Sequence, residues 1–258
     1  MWEKELLAAI EVGKRASVKI MEFYRNGFDI EIKEDDSPVT QADKMADELI
    51  FEYLKKEFPA HAFLTEESED NLSRLENDFV WIIDPIDGTK NFIARDDEFT
   101  VNIALSYKHE IVVGVVAVPA KDEIYFASKG QGAFHVVNDK ATQIHVNDKL
   151  ENLTVLTSVF HSNDKERALI EKHKDKITKV EKYGSSLKPC RIAAGLAEIS
   201  YRQSSGTKEW DTAASDIIVT EAGGIFIEPN GKKLTYNRKD VYNRNGYIIC
   251  NRKENILL

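Results

Sequence analysis

The spacing of apolar residues over the first sixty positions predicts two helices. One is expected over residues 3–26, where apolar side chains recur at helical intervals until an Asn-Gly pair ends the pattern. A second is expected over residues 40–57, because Thr40 and Asp43 have the spacing of a capping box. The chain therefore begins with helical structure.

From residue 79 onward, the apolar residues form short runs rich in valine, isoleucine and aromatic side chains, which is typical of β-strands. Two of these runs, 99–106 and 111–118, flank the polar segment 107–110 and predict an antiparallel hairpin. An apolar start at 62–64 also places Glu66 and Glu67 near a strand end. The four runs cover residues 79–83, 99–106, 111–118 and 124–127.

After about residue 150, strand-like and helix-like patterns alternate, which predicts layered α/β structure. The polar stretch 147–152 is the best boundary. We expect an α+β part with a large antiparallel sheet over residues 1–150, and a smaller α/β part over 151–258. The expected later strands are 153–157, 179–183, 197–201 and 225–228, and the expected later helices are 164–172, 186–194 and 211–222.

Charge and composition exclude several classes of function. The 44 acidic residues outnumber the 35 basic ones, and the net charge of −9 argues against a broad duplex nucleic-acid surface. By itself this charge also argues against any strongly anionic partner. The longest apolar run, 111–119, falls far short of the ~20 residues that span a bilayer.

The cysteines and the first residues bear on the cellular location. Cys190 and Cys250 are the only cysteines and lie far apart in the sequence, with neither metal-ligand spacing nor a disulfide framework, which fits a reducing compartment. The N-terminal residues start a helical pattern without a readable signal peptide. We therefore expect a cytoplasmic protein. The sequence leaves open whether it is peripheral at the inner membrane, and whether it is a monomer or a homodimer.

The segment 81–92 carries the strongest chemical signal. An apolar strand runs into Asp84 and Asp87, and Pro85 between them makes the turn rigid. Gly88 allows close approach of a ligand, and the N–H groups there could face an anion. Paired carboxylates on a rigid loop suit hard divalent cations. An Asp-Gly turn is the structural alternative, but the whole string favours a functional site.

Three other acidic positions could join this site, and each has a structural alternative. Glu66 and Glu67 could lie on a solvated loop. Asp43 is explained by its capping box, and Asp211 could cap the helix that starts there. None of them would indicate a site on its own.

In combination, these motifs resemble the inositol monophosphatase superfamily of metal-dependent, lithium-sensitive phosphatases. The motifs are Asp84-Pro-Ile-Asp-Gly-Thr89, Glu66-Glu67 and Trp210-Asp-Thr-Ala-Ala214. The resemblance extends from residues 39–43 to the glycines at 223–224. It implies a layered αβαβα sandwich of the inositol monophosphatase and fructose-1,6-bisphosphatase type, with the site between the two parts.

Within this superfamily, the sequence looks most like the 3′(2′),5′-bisphosphate nucleotidases of the CysQ type, and two details carry this resemblance. Lys90 stands where inositol monophosphatases usually carry a second threonine, and the segment 184–188 reads Gly-Ser-Ser-Leu-Lys. Two segments depart from that type. Residues 157–161 retain His161 but lack the arginine of the nucleotidases, and residues 201–210 are about one residue longer.

The resemblance implies two Mg²⁺ ions, with inhibition by Li⁺. Glu66, Asp84 and the carbonyl of Ile86 would hold the first ion, and Asp84, Asp87 and Asp211 the second. Thr89, hydrogen-bonded to Asp43, would orient the attacking water, which Glu66 shares. Asp43 would also assist a third, weakly held ion. Most of these ligands lie in the N-terminal part, and the C-terminal part completes the site.

The substrate contacts follow from the same resemblance. The reacting phosphate would lie against the N–H groups of Gly88 and Thr89 and near the start of the helix at Asp211. A second phosphate would contact Lys188 and the two preceding serines. The full expected set of substrate-binding residues is Glu66, Asp87, Gly88, Thr89, Lys90, His161, Ser185, Ser186, Lys188 and Asp211, with Tyr201, Arg202 and Lys208 on the adenosine side.

The implied activity is Mg²⁺-dependent hydrolysis of the 3′-phosphate of adenosine 3′,5′-bisphosphate, which would clear this nucleotide during sulfur assimilation. One alternative is an inositol-phosphate or other sugar-phosphate phosphatase on the same scaffold. Another is a non-catalytic regulator or RNA-polymerase-associated partner. The net charge does not exclude a bisphosphate, because two cations among the clustered carboxylates would reverse the local sign.

Overall fold

A computed structural model describes residues 1–33 and 38–258. The helices are α1 (Glu3–Asn26), α2 (Gln41–Glu57), α3 (Thr89–Ala94), α4 (Asp164–Lys172), α5 (Leu187–Ala193) and α6 (Ala213–Glu221). The first strands are β1 (Ile30–Ile32), β2 (Pro38–Thr40), β3 (Ala62–Thr65), β4 (Phe79–Asp87), β5 (Thr100–Tyr107), β6 (Glu110–Val118) and β7 (Glu123–Ser128). The remaining strands are β8 (Ala133–Val137), β9 (Lys140–Ile144), β10 (Leu153–Ser158), β11 (Ile177–Tyr183), β12 (Ile199–Arg202), β13 (Ile225–Ile227) and β14 (Tyr247–Cys250).

Two large sheets organise the molecule. The seven-stranded sheet has the order β3-β4-β5-β6-β7-β8-β9 and is antiparallel except for the parallel pair β3–β4. The five-stranded sheet has the order β11-β10-β12-β14-β13, parallel across its first three strands and antiparallel across the last three. Strands β1 and β2 form a separate antiparallel pair.

The helices separate and cover these sheets. Helices α1 and α2 pack on one face of the seven-stranded sheet, and α5 and α6 lie between the two sheets. Helix α4 packs on the outer face of the five-stranded sheet through Leu169 and Ile170. Successive side chains of β4 alternate between the two faces of the sheet, so that both faces are apolar. Trp81 and Ile83 face α1 and α2, whereas Val80 and Ile82 face α6. The layered αβαβα sandwich is confirmed.

Local patterns predicted most of the elements near the site. Helix α1 ends at Asn26 as expected, and the capping box of Thr40 and Asp43 at the start of α2 is present. The later helix begins at Ala213 rather than at Asp211, because a 3₁₀ turn over Glu209–Asp211 precedes it. The division of the chain at residue 150 stays a prediction.

Several short elements were not expected. Strand β9 is almost wholly exposed, and strands β1 and β14 are only three and four residues long, so none shows a readable alternation. Helix α3 has six residues, too few for apolar periodicity. None of the helices within residues 1–33 and 38–258 combines the length and apolar character that crossing a membrane requires.

Helix α6 packs tightly against the seven-stranded sheet at Gly114 of β6. A methyl group there would overlap the carbonyl oxygen of Ala214 and lie 2.5 Å from Cγ2 of Ile217. Since α6 begins two residues after Asp211, this packing also helps to position one of the expected ligands. We expect Gly114→Ala to lower the free energy of unfolding by about 1–3 kcal/mol, measured by urea titration.

Gly13 of α1 provides the matched control. A methyl group at Gly13 would meet its nearest neighbours, Ile103 and Val115, at an ordinary 3.7 Å. Gly13→Ala should therefore stabilise the protein by roughly 0.5–1 kcal/mol through helix propensity. Equal stability of the two variants would contradict the close-approach role of Gly114.

Candidate active site

A cleft of about 320 Å³ opens where the end of β4 meets the turn before α5 and the segment before α6. The ends of β12 and β14 form its other wall. Nearly all residues expected at the site line this cleft. They are Glu66, Asp84, Ile86, Asp87, Gly88, Thr89, Lys90, His161, Ser185, Ser186, Lys188, Tyr201, Arg202, Lys208 and Asp211.

Three carboxylates converge at the floor of the cleft. One oxygen each of Asp84, Asp87 and Asp211 lies within 4.8 Å of the others. Asp84 is 1% exposed, and its Oδ1 is buried without a hydrogen-bond partner. Such a buried, unpaired carboxylate oxygen beside two other acids fits a hard divalent cation. The donor set is therefore compatible with the Mg²⁺ that the family resemblance implied.

The pKa values in this group show that burial and mutual repulsion disfavour the ionised form of the carboxylates. Burial raises the pKa of Asp84 well above its usual range, and the neighbouring Glu66, Asp87 and Asp211 add to that effect. Burial likewise raises the pKa of Asp211 to about 7, with a further contribution from Asp87. A bound cation would reverse these effects by favouring the ionised carboxylates.

The geometry of β4 explains how two of these carboxylates reach the cleft. Its pairing with β5 is regular up to Asp84 and resumes at Asp87, with a break in register between them. Pro85 lies in this break, where its missing N–H leaves no ladder bond unmade. Gly88 follows with a φ of 90° and starts α3. The local sequence thus shapes the Asp84–Asp87 turn.

Glu66 and Glu67 lie directly after β3, at the edge of the same site. The N–H of Glu66 donates to the carbonyl of Ile83 at 3.2 Å, which places Glu66 beside the end of β4. The Lys33 ammonium lies 3.3 Å from the carboxylate of Glu66 and 2.6 Å from that of Glu67. Burial raises the pKa of Glu67 to about 7. Glu66 is therefore near the cluster but is paired with a lysine.

Asp43 contributes to both helix capping and the site. Its Oδ2 accepts hydrogen bonds from the N–H and hydroxyl of Thr40 at 2.8 and 2.5 Å. Its Oδ1 accepts a hydrogen bond from the Thr89 hydroxyl at 3.2 Å. The same hydroxyl lies 3.2 Å from the carbonyl of Ile86. The structural and functional interpretations of Asp43 are therefore compatible, because each uses a different oxygen.

Asp211 is placed by the turn that precedes α6. Its Oδ2 accepts the N–H of Lys208 at 2.5 Å, and Thr212 is the N-cap residue of the helix. Glu209 in this turn is fully buried and accepts the N–H groups of Asn237 and Arg238. No sequence motif pointed to Glu209, because its partners lie about 28 residues away in the chain.

The turn before α5 carries the cationic side of the cleft. Lys188 is half-buried, and its ammonium donates to the carbonyls of Tyr183 and Ser185 at 3.2 and 2.7 Å. Burial lowers the pKa of Lys188 to about 8. The Ser185 hydroxyl is buried without a partner, whereas the Ser186 hydroxyl donates to Oδ2 of Asp87 at 2.7 Å.

Further cationic groups converge on the same side. Arg202, at the end of β12, donates to the carbonyl of His161 at 3.2 Å. Burial lowers the pKa of His161, and the charges of Arg202, Lys90 and Lys188 lower it further. Tyr201 is 5% exposed and its hydroxyl has no partner. The cleft therefore combines an acidic floor with a positively charged wall.

The comparisons with known proteins agree with this architecture. The inositol monophosphatase family model matches residues 1–257. The chain is 34% identical to inositol monophosphatase 2 of Solanum lycopersicum, over 93% of this chain and 94% of that protein. It is also 34% identical to the 3′(2′),5′-bisphosphate nucleotidase CysQ of Salmonella typhimurium, over 93% and 96% of the two chains.

A solved structure shows the same fold. The CysQ crystal structure from Bacteroides thetaiotaomicron superposes with a TM-score of 0.84 at 33% identity, covering 98% of this chain and 99% of that one. These matches extend over almost the whole chain and include the segments that form the cleft. The chain therefore belongs to the inositol monophosphatase family and is a phosphatase of that superfamily.

Proposed function

We propose that this protein is a Mg²⁺-dependent phosphatase that hydrolyses the 3′-phosphate of adenosine 3′,5′-bisphosphate to AMP and phosphate. The observation that carries the proposal is the combination of two opposite regions in one cleft. The carboxylates of Asp84, Asp87 and Asp211 lie within 4.8 Å of each other. Lys188 and Arg202 line the same cleft with positive charge. A substrate with two phosphates can use both regions.

The acidic residues would hold the cations. The proposed ligands are Asp84, Asp87, Asp211, Glu66 and the Ile86 carbonyl. To bind a cation, the Glu66 carboxylate would give up its ion pair with Lys33. Bound Mg²⁺ supplies charge neutralisation at the transferring phosphate and a lower pKa for water. The clustered carboxylates and the net charge of −9 would both repel an anionic substrate. Binding of such a substrate therefore depends on these cations, which reverse the local sign of the charge.

The remaining chemistry belongs to the chain's own hydroxyl and carboxylate groups. The Thr89 hydroxyl donates to Oδ1 of Asp43, so its lone pairs are available to accept a hydrogen bond from the attacking water. A proton could then pass from that water through Thr89 to Asp43. The N–H groups at Gly88 and Thr89 would face the reacting phosphate.

The second phosphate would be held on the cationic wall. Lys188 is the proposed main contact, because its ammonium lies beside the buried hydroxyl-bearing turn 184–186. An ammonium bound to a phosphate oxygen makes a charge-assisted hydrogen bond. The charges of Arg202 and Lys90 both lower the pKa of His161, and these three residues are proposed to complete this subsite for an anionic group.

One other substrate class is supported by a specific observation. The tomato inositol monophosphatase matches this chain at the same 34% identity as the Salmonella CysQ protein. An inositol-phosphate or sugar-phosphate phosphatase is therefore the second candidate. It would need the acidic floor but would have less use for the cationic wall.

A side-by-side substrate panel tests the assignment. Purified protein with Mg²⁺ should release phosphate from adenosine 3′,5′-bisphosphate with a higher kcat/KM than from myo-inositol 1-phosphate or fructose 1,6-bisphosphate. Higher kcat/KM for either sugar phosphate would replace the proposed substrate by the second candidate. If none of the three substrates releases phosphate in a Mg²⁺-dependent way, both candidates are contradicted. Li⁺ is expected to inhibit the reaction.

A further inference from the structure

Asn102 is a buried polar residue in the middle of an apolar strand. It lies on β5 between Val101 and Ile103, and it is 1% exposed. In the pairing of β5 with β4 it lies opposite Asp84, at the last regular pair before the break in register. A buried amide needs hydrogen-bond partners, so its contacts show what it holds.

The amide of Asn102 bonds to groups from both sides of the cleft. Its Nδ2 donates to Oδ2 of Asp87 at 3.2 Å and to the hydroxyl of Ser186 at 3.0 Å. Its Oδ1 accepts the hydroxyl of Thr100 at 3.0 Å. The two amide protons and the acceptor are thus all used, and this pattern determines the orientation of the amide.

These bonds converge on a single carboxylate oxygen. Oδ2 of Asp87 accepts the Ser186 hydroxyl at 2.7 Å as well as the amide of Asn102. The Thr100 hydroxyl also lies 3.4 Å from this oxygen. With these donors on Oδ2, the other oxygen of Asp87 is the one left to face a cation among Asp84 and Asp211. The network therefore orients the carboxylate.

The same network attaches the turn 184–186 to the seven-stranded sheet. Ser186 is held by Asn102 and Asp87, and the N–H of Gly184 donates to the carboxylate of Glu98 at 2.7 Å. A methyl group at Gly184 would lie 2.5 Å from the carbonyl oxygen of Glu98, so the turn is packed directly on this segment. The turn and the Asp87 carboxylate cannot move independently without breaking these bonds.

We propose that Asn102 is a positioning residue that holds the Asp87 carboxylate and the Ser186 turn in one arrangement, so that the cation site and the cationic wall are set together. The inference rests on the proposed function only for the presence of a divalent cation in the cleft. Hydrogen-bond partners of a metal ligand usually change metal affinity or activity by about 10–100-fold when they are removed.

The test measures cation binding directly. The metal-free full chain is titrated with Mn²⁺, and the free ion is followed by its electron paramagnetic resonance signal. Asn102→Ala should weaken Mn²⁺ binding by about 10–100-fold. The matched control is Asn255→Ala, which removes another fully buried amide whose bonds go to Lys149 and Asn251, away from the cleft. This control should bind Mn²⁺ like the wild type.

A double-mutant cycle tests the connection to the turn. Because Asn102 and Ser186 act on the same oxygen of Asp87, the effects of Asn102→Ala and Ser186→Ala on Mn²⁺ affinity should be strongly non-additive. Additive effects would overturn the joint arrangement. So would an Asn102→Ala affinity within twofold of the Asn255→Ala control, or a wild type that binds no Mn²⁺.

The outcome is separate from that of the substrate panel. If the variants lose Mn²⁺ affinity as expected and no substrate in the panel is hydrolysed, Asn102 keeps its role and the proposed function fails. If the substrate is hydrolysed but Asn102→Ala binds Mn²⁺ normally, the proposed function stands and the positioning role fails.

Discussion

Asp84→Asn is expected to lower Mg²⁺-dependent kcat/KM by on the order of 10³-fold, since a catalytic cation contributes several kcal/mol and each 1.36 kcal/mol is tenfold in rate. Asp84 is the most buried of the three clustered carboxylates, and one of its oxygens has no partner. The amide replaces a charged ligand by a weaker neutral one. The measurement is phosphate release from adenosine 3′,5′-bisphosphate over a range of Mg²⁺ concentrations.

The same substitution should stabilise the metal-free protein. Burial and the neighbouring acids raise the pKa of Asp84 in the folded state, so the free energy of unfolding of the wild type decreases as the pH rises from the ordinary carboxyl pKa through this raised value. Asp84→Asn removes the buried charge. A gain of about 1 kcal/mol would raise the melting temperature by ~2–4 °C in a chain of roughly this size. The gain should be larger at pH 8 than at pH 5.

Asp216→Asn is the matched control for this experiment. Asp216 is another aspartate whose pKa is raised by burial, to about 7, but its carboxylate accepts the Tyr236 hydroxyl at 2.7 Å outside the acidic cluster. It should retain Mg²⁺-dependent activity. Retained activity in Asp84→Asn, or loss of stability in its metal-free form, would contradict the central role of Asp84 in the cation site.

Lys188→Met should lower kcat/KM for adenosine 3′,5′-bisphosphate by about 10–100-fold, the value of one charged hydrogen bond of about 1.5–3 kcal/mol. Hydrolysis of adenosine 3′-monophosphate should change far less, because this substrate lacks the second phosphate. The measurement compares both substrates at saturating Mg²⁺. The effect should appear mainly in KM, since the ammonium is proposed to bind a phosphate that does not react.

The monophosphate also reports on folding, because Lys188 donates to the carbonyls of Tyr183 and Ser185 and could support the turn. An equal loss for both substrates would assign Lys188 to the structure of the turn rather than to the second phosphate. Lys182→Met is the control, since Lys182 is an exposed lysine on β11 and does not line the cleft.

Local sequence was informative where a few neighbouring residues decide the backbone. The capping box at the start of α2 and the apolar run of β4 were both predictable, and the proline and glycine around Asp87 shape the turn that displays it. The exposed strand β9 and the short helix α3 were not predictable. Their residues carry no periodic apolar pattern, so contacts with the rest of the fold determine their structure, such as the pairing of β9 with β8.

Asn102 illustrates the limit of such reasoning at the site. A single asparagine inside the apolar run 99–106 is a readable signal that a buried amide has a partner. Its partners Asp87 and Ser186 are 15 and 84 residues away, so the signal could not identify them. Glu209 was missed for the same reason.

The sequence by itself determined the chemistry that each segment offers: two carboxylates around a proline, a hydroxyl after a glycine, and a lysine at the end of a serine turn. Only the tertiary structure decided that Asp211 joins Asp84 and Asp87 and that Lys188 and Arg202 share one cleft. Backbone preferences act over a few residues, whereas this convergence depends on strand pairing and on packing of α6 between the two sheets.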